Sequence, residues 1–119
     1  MFSYQLKIVV AEKKFDEFID TLRFLSSVIR EEQGYLDLSL CKDLEKKNAY
    51  RVLVEWKTHQ AMEAHFKGEK FSVLIGATRV LGEDFEMSIG ETQEKGGYQF
   101  VQEKISLDPE KGKMLDTLS

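Results

Sequence analysis

The sequence predicts an α+β fold in which helices cover one face of a four-stranded antiparallel sheet. Three observations carry this expectation. Four segments, Phe2–Val10, Tyr35–Lys42, Ala49–Trp56 and Asp84–Gly90, alternate apolar and polar residues at period two, the spacing of strands with one buried face. Between and after them the period changes to three and four, the mark of amphipathic helices. The resulting order, strand–helix–strand–strand–helix pair–strand, is the split βαβ arrangement of a ferredoxin-like sandwich.

Each element has its own local reason. In the first strand Tyr4, Leu6, Ile8 and Val10 follow Phe2 on one side, with Ser3, Gln5 and Lys7 opposite; Val9 interrupts the polar side. Phe15, Phe18, Ile19, Leu22, Leu25, Val28 and Ile29 then form a helical stripe. Asp16, Glu17 and Asp20 near its start suit the helix dipole. Gln33-Gly34 reads as its stop, with Gly34 free to turn left-handed. Leu36, Leu38 and Leu40 point inward on the second strand. The polar run from Asp43 to Asn48 has the length of a hairpin connection, so the third strand should lie antiparallel to the second.

That third strand places Tyr50, Val52, Val54 and Trp56 on one face. Thr58 sits where a helix N-cap belongs, and a helix follows to Lys67, ending at Gly68. A second helix spans about 69–81; its apolar residues, including Val73 and Val80, occupy most of its circumference, as in helices buried on more than one side. Phe85, Met87 and Ile89 mark a last core strand. After Glu94-Lys95-Gly96-Gly97 the pattern predicts a further strand over Tyr98–Leu107 and a short helix from Asp108-Pro109. We therefore divide the chain into a domain over residues 1–95 and an extension over 96–119, packed on the body or on a partner subunit.

Composition narrows the function. Of 119 residues, 42% are hydrophobic and 32% charged, a globular balance. The net charge of −4, with cations scattered among acids, excludes the basic face that nucleic acid requires. No run approaches the roughly 20 apolar residues of a membrane span, and the start lacks the pattern of a signal peptide, so a cytoplasmic location is expected. The single cysteine, Cys41, reads as a packed thiol. No phosphate loop, paired-carboxylate, Ser-His-Asp or HExxH spacing occurs, which argues against a nucleotide, flavin or metal.

His65 is the sharpest candidate for chemistry. It lies three and four positions from Met62 and Ala61, on the inward side of its helix. There a neutral imidazole either acts as a general base or is satisfied by a carbonyl or carboxylate. Tyr4, Phe18, Leu22, Phe66, Phe71 and Leu74 are candidates for lining an apolar cavity, with Trp56 either its flat wall or ordinary core. His59, in the first helical turn, should face solvent. Val9, Tyr35, Cys41 and Leu53 dot the open sheet face, the kind of patch that meets a partner; a homodimer through this face is expected.

The run EEQGYLDLSLCKDLEKKNAYRVLVEWKTHQAMEAHFKGEKF resembles the antibiotic biosynthesis monooxygenase (ABM) domain family. The features are Gly34 before the second strand, Asp43 after it, Asn48 opening the third, Glu55-Trp56, Glu63-Ala64-His65 and Phe71. The likeness extends over residues 1–93. It implies a dimeric α+β barrel with a pocket between sheet and helices of each subunit. It also implies a cofactor-free enzyme acting on a small apolar or aromatic molecule, such as a monooxygenase oxidising a phenolic or enolic substrate with O2. A cofactor-free isomerase and a non-catalytic small-molecule-binding dimer are the alternatives. The haem-degrading branch uses an axial histidine on the helix corresponding to 69–81, where this chain has Ile75 and Gly76.

Overall fold

The computed structural model describes residues 1–92 and 94–106. Strands β1 (Phe2–Val10), β2 (Tyr35–Lys42), β3 (Ala49–Trp56) and β4 (Gly82–Glu91) form one sheet in the order β2-β3-β1-β4. Every neighbouring pair is antiparallel. A single 3-10 turn (Glu12–Lys14) leads into helix α1 (Phe15–Ile29); α2 (His59–Phe66) and α3 (Glu69–Leu81) connect β3 to β4. The fold is the ferredoxin-like α+β sandwich, and no helix among the described residues is long and apolar enough to cross a membrane.

The core forms where the alternating faces of the two central strands meet the helical stripes. Tyr4, Leu6, Ile8 and Val10 from β1 and Val52, Val54 and Trp56 from β3 are buried against Phe18, Leu22, Leu25 and Ile29 of α1. Met62 of α2 and Leu74 and Leu81 of α3 close the layer. Period two on the strands and period three to four on the helices turn the apolar sets toward each other.

Several local expectations need correction. α1 ends at Ile29, four residues before Gln33. A turn takes over in which Glu32 N–H donates to Ile29 O (2.9 Å) and Tyr35 N–H to Glu32 O (3.2 Å). An irregularity between Tyr35 and Asp37 pairs Tyr35 with Trp56, so Tyr35 shares the helix side rather than the open face; Leu36, expected inward, is exposed. Cys41 is exposed on the open face rather than packed. α3 buries one face only: Val73 and Val80 stand in solvent while Leu74, Thr78 and Leu81 are covered.

β4 is an edge strand, and its helix side is largely bare. Phe85, Met87 and Ile89 pair with Ile8, Leu6 and Tyr4 and so share the core side, yet Phe85 and Ile89 are exposed. Tyr98–Ile105 is a helix, α4, where a strand was expected. The Gly96-Gly97 break lets a local turn close, with Val101 N–H donating to Gly97 O (3.1 Å). The helix expected from Asp108-Pro109 lies outside the described residues.

Gly34 has a φ of +83°, and a Cβ there would strike the side chain of Ala61 on α2. Its carbonyl accepts from Lys57 N–H (2.8 Å). Gly34→Ala therefore combines left-handed strain with a clash. We expect a loss of about 2 kcal/mol or more in urea-unfolding free energy.

Candidate functional site

The corner between β3 and α2 is built by its caps. Thr58 is extended (φ −132°), and its hydroxyl accepts from Ala61 N–H at 3.1 Å. This starts α2 three residues after Trp56 and aims Met62 and His65, three apart, into the core. The approach of Gly34 to Ala61 brings the α1–β2 turn against the same helix. Glu32, two residues before Gly34, then reaches the imidazole.

His65 is 1% exposed and has a partner at each ring nitrogen. Nδ1 lies 2.8 Å from Glu32 Oε2 and Nε2 lies 2.6 Å from the Tyr4 hydroxyl. An ionised carboxylate only accepts, so Nδ1 carries the proton and donates to Glu32. In the neutral ring Nε2 is then the acceptor, and Tyr4 donates to it. Glu32, the partly exposed member, connects this buried chain to water.

The surroundings are aromatic. The Trp56 ring lies 4.6 Å from that of His65, Tyr4 stacks on it at 5.4 Å, and Phe71 meets it edge-on at 5.4 Å. Phe66 and Phe71 pack on each other (4.9 Å) and on Tyr4. Burial pushes the His65 imidazole below its ordinary value, partly offset by the hydrogen bond and charge of Glu32, with Lys70 pushing the same way as burial. Burial first, and then the Glu32 charge, raises the Tyr4 phenol far above its usual range. The resting site thus holds a neutral imidazole and a protonated phenol. Trp56 Nε1 is buried with no hydrogen-bond partner among the described residues, although a buried N–H left unmatched costs about 1–3 kcal/mol.

Of the residues singled out in the sequence, Tyr4, Trp56, His65, Phe66 and Phe71 come together. Phe18 lies instead with Tyr50 (6.2 Å), which pairs with Ile8 at the opposite end of β3 from Trp56. Leu22 and Leu74 are buried core residues of α1 and α3. His59 is exposed, with Nε2 3.4 Å from Glu63. Three surface depressions open elsewhere: on the open sheet face around Lys7 and Arg51, near Phe15 and Asn48, and between α3 and β4. Glu32 was not anticipated. It lies 33 positions from His65 in sequence, in a turn where no periodicity assigns a direction.

The strand order and the helix-covered face define a small α+β sandwich of the ferredoxin-like class with a buried acid–base cluster. Residues 1–75 match the model of the antibiotic biosynthesis monooxygenase family, and the chain belongs to that family. Solved structures share the fold. A conserved protein from Methanosarcina mazei Go1 is 20% identical, with a TM-score of 0.69 over 77% of this chain and 92% of that one. SnoaB, a cofactor-independent oxygenase from Streptomyces nogalater, is 17% identical, with a TM-score of 0.71 over 81% and 96%. PA3566 from Pseudomonas aeruginosa is 19% identical, with a TM-score of 0.64 over 78% and 94%. No curated protein matches the chain.

Two titrations follow from the Glu32–His65 contact. Followed by NMR, the His65 ring should titrate below about 6.5, the ordinary histidine value. Glu32→Gln removes the carboxylate charge that raises it, so its midpoint should fall further. Because the folded state resists a proton that the unfolded chain accepts near 6.5, the His65 contribution to stability is complete above that pH. It should be lost as pH falls toward the folded value.

Proposed function

We propose that this chain is a cofactor-independent oxygenase, oxidising a small phenolic or enolic molecule with O2 as a homodimer joined through the open sheet faces. The observation that carries the reading is the buried Glu32–His65–Tyr4 chain beside the unmatched Trp56 N–H. A phenol or enol binding there loses a proton to Tyr4 Oη as Tyr4 passes its own to His65 Nε2. The transfers are concerted, because a free tyrosinate is strongly disfavoured at this position. Glu32 stabilises the imidazolium that forms. The Trp56 N–H is a suitable donor for a substrate oxygen, and the aromatic walls limit water.

The chemistry balances without a cofactor. The substrate anion gives one electron to O2, and the resulting radical and superoxide combine to form a carbon–oxygen bond. His65 returns the proton, through Tyr4, to the outer peroxide oxygen. Cleavage of the O–O bond with loss of the second C–H proton releases water and leaves a carbonyl. Overall a CH2 and O2 become C=O and H2O.

One observation favours a non-catalytic reading: both nitrogens of His65 are already engaged within the protein and its ring is 1% exposed. On that reading the cluster ties β1, α2 and the α1–β2 turn together in a small-molecule-binding dimer. An oxygen electrode with a panel of hydroquinones and anthrones separates the two. Turnover that falls about 10²–10⁴-fold in His65→Ala supports the oxygenase. Wild type and His65→Ala equally inert across the panel would overturn it, and product rearrangement without O2 uptake would indicate an isomerase.

The dimer reading draws on the charges of the open face. One cross-strand row holds Asp37, Glu55, Ser3 and Gly90; the next holds Ser39, Leu53, Gln5 and Ser88; the third holds Cys41, Arg51, Lys7 and Glu86. A two-fold axis along the middle row sets Glu55 of one sheet over Arg51 of the other, whereas an axis along the strands between β1 and β3 opposes Arg51 and Lys7. Light scattering should give twice the 13.8 kDa chain mass. Arg51→Glu should weaken the dimer at least tenfold, and adding Glu55→Arg should restore it.

A further inference from the structure

Among the described residues, two apolar surfaces have no partner, and they match each other. The first is the helix side of β4, where Phe85, Met87 and Ile89 form a strip with Phe85 44% and Ile89 60% exposed. At its Phe85 end, a depression of about 270 Å³ lies between α3 and β4, lined in part by Ile75 and Thr78. The second is one side of α4. Tyr98, Val101 and Ile105 are three and four positions apart and so share one helical stripe.

α4 buries none of its residues, and Tyr98 is 94% exposed. Among the described residues, no other element packs closely on α4. The polar side of the helix is organised locally: Lys104 pairs with Glu94 at 3.0 Å and stands 5.3 Å over the Phe100 ring. That pairing leaves the Tyr98–Val101–Ile105 side free.

We propose that α4 is an exchange arm: in the homodimer, α4 of each chain docks its Tyr98–Val101–Ile105 stripe on the Phe85–Met87–Ile89 strip of the second copy. The lengths agree, since four strand steps span about 13 Å and seven helix steps about 10 Å. A helix laid on this strip covers the apolar side of an edge strand that would otherwise invite association. The exchange is isologous, each copy giving one helix and receiving one, so it closes at two copies. α4 also lies beyond residues 1–75, which match the family model. The inference rests on the dimer reading above.

Chains carrying Ile89→Cys and chains carrying Val101→Cys, each in a Cys41→Ser background, are co-expressed and oxidised. The expected product is a disulfide-linked heterodimer on a non-reducing gel, absent when either variant is oxidised alone. Light scattering on the same samples distinguishes the two ways of failing. A monomer overturns the dimer reading and the exchange with it. A dimer without the 89–101 cross-link overturns the exchange alone. A chain carrying both cysteines that closes on itself and forms no linked dimer assigns α4 to its own strand, and this also overturns it. As an independent measure, Val101→Asp should raise the dimer dissociation constant at least tenfold; an unchanged constant counts against the arm.

Discussion

Gly34 rests against Ala61 with room for a hydrogen and nothing larger, and the arrangement of the candidate site depends on that contact. The left-handed backbone at Gly34 turns the chain from α1 into β2 while its carbonyl is held by Lys57 N–H. The turn is thereby pinned to both ends of the β3–α2 corner. Glu32, carried by the same turn, can reach His65 only because the backbone comes this close. A side chain at position 34 would push the turn outward and lengthen the 2.8 Å contact on which the tautomer of His65 depends. One backbone conformation in a connecting segment thus sets the direction of a proton donor in the core.

The consequence is an ordered electrostatic arrangement. Glu32 fixes the proton on Nδ1, so Nε2 can only accept, and Tyr4 must point its proton inward. Burial and the nearby carboxylate act in opposite directions on the imidazole and in the same direction on the phenol. An apolar shell alone would favour a neutral imidazole without choosing a tautomer. A carboxylate alone, in water, would favour the imidazolium. The two together keep the ring neutral at rest while providing a partner for the charge it gains on accepting a proton. The same geometry would suit a structural tie or a catalytic group, which is why measured turnover decides between them.

Much of the fold was legible in the sequence because burial imposes periods. Phe2–Val10 and Ala49–Trp56 are central strands with one face against helices, and their alternation is nearly unbroken. Thr58 announced its helix because a cap is a local contact. The failures have equally local causes. Tyr35 changed sides because an irregularity in pairing shifts the alternation, and nothing in the residue types marks it. Ile89 alternates like a core residue, yet it sits on an edge strand beyond the reach of the helices; period reports which face, not whether that face is covered. Tyr98–Ile105 has strand-like residues, yet local hydrogen bonds such as Val101 N–H to Gly97 O hold it as a helix. In the site, His65 and its aromatic neighbours were visible through spacing, whereas Glu32 was not, since a long-range contact from a turn leaves no period.

β4 brings the proposed assembly and the proposed chemistry to one question. Its open side carries Ser88 and Glu86 in the cross-strand rows, and its other side carries the bare Phe85–Ile89 strip. Ile89 pairs directly with Tyr4, the residue that donates to His65. A helix from a second copy laid over Ile89 would therefore stand on the same face of the sheet as the Glu32–His65–Tyr4 chain, one strand away from Tyr4. Covering that edge lowers the local dielectric and slows the exchange of water near the phenol, and both effects strengthen hydrogen bonds among buried groups. Association and proton transfer would then be coupled through an apolar contact. The proposed coupling would run along the Tyr4–Ile89 cross-strand pair and would need no movement of Glu32, His65 or Tyr4.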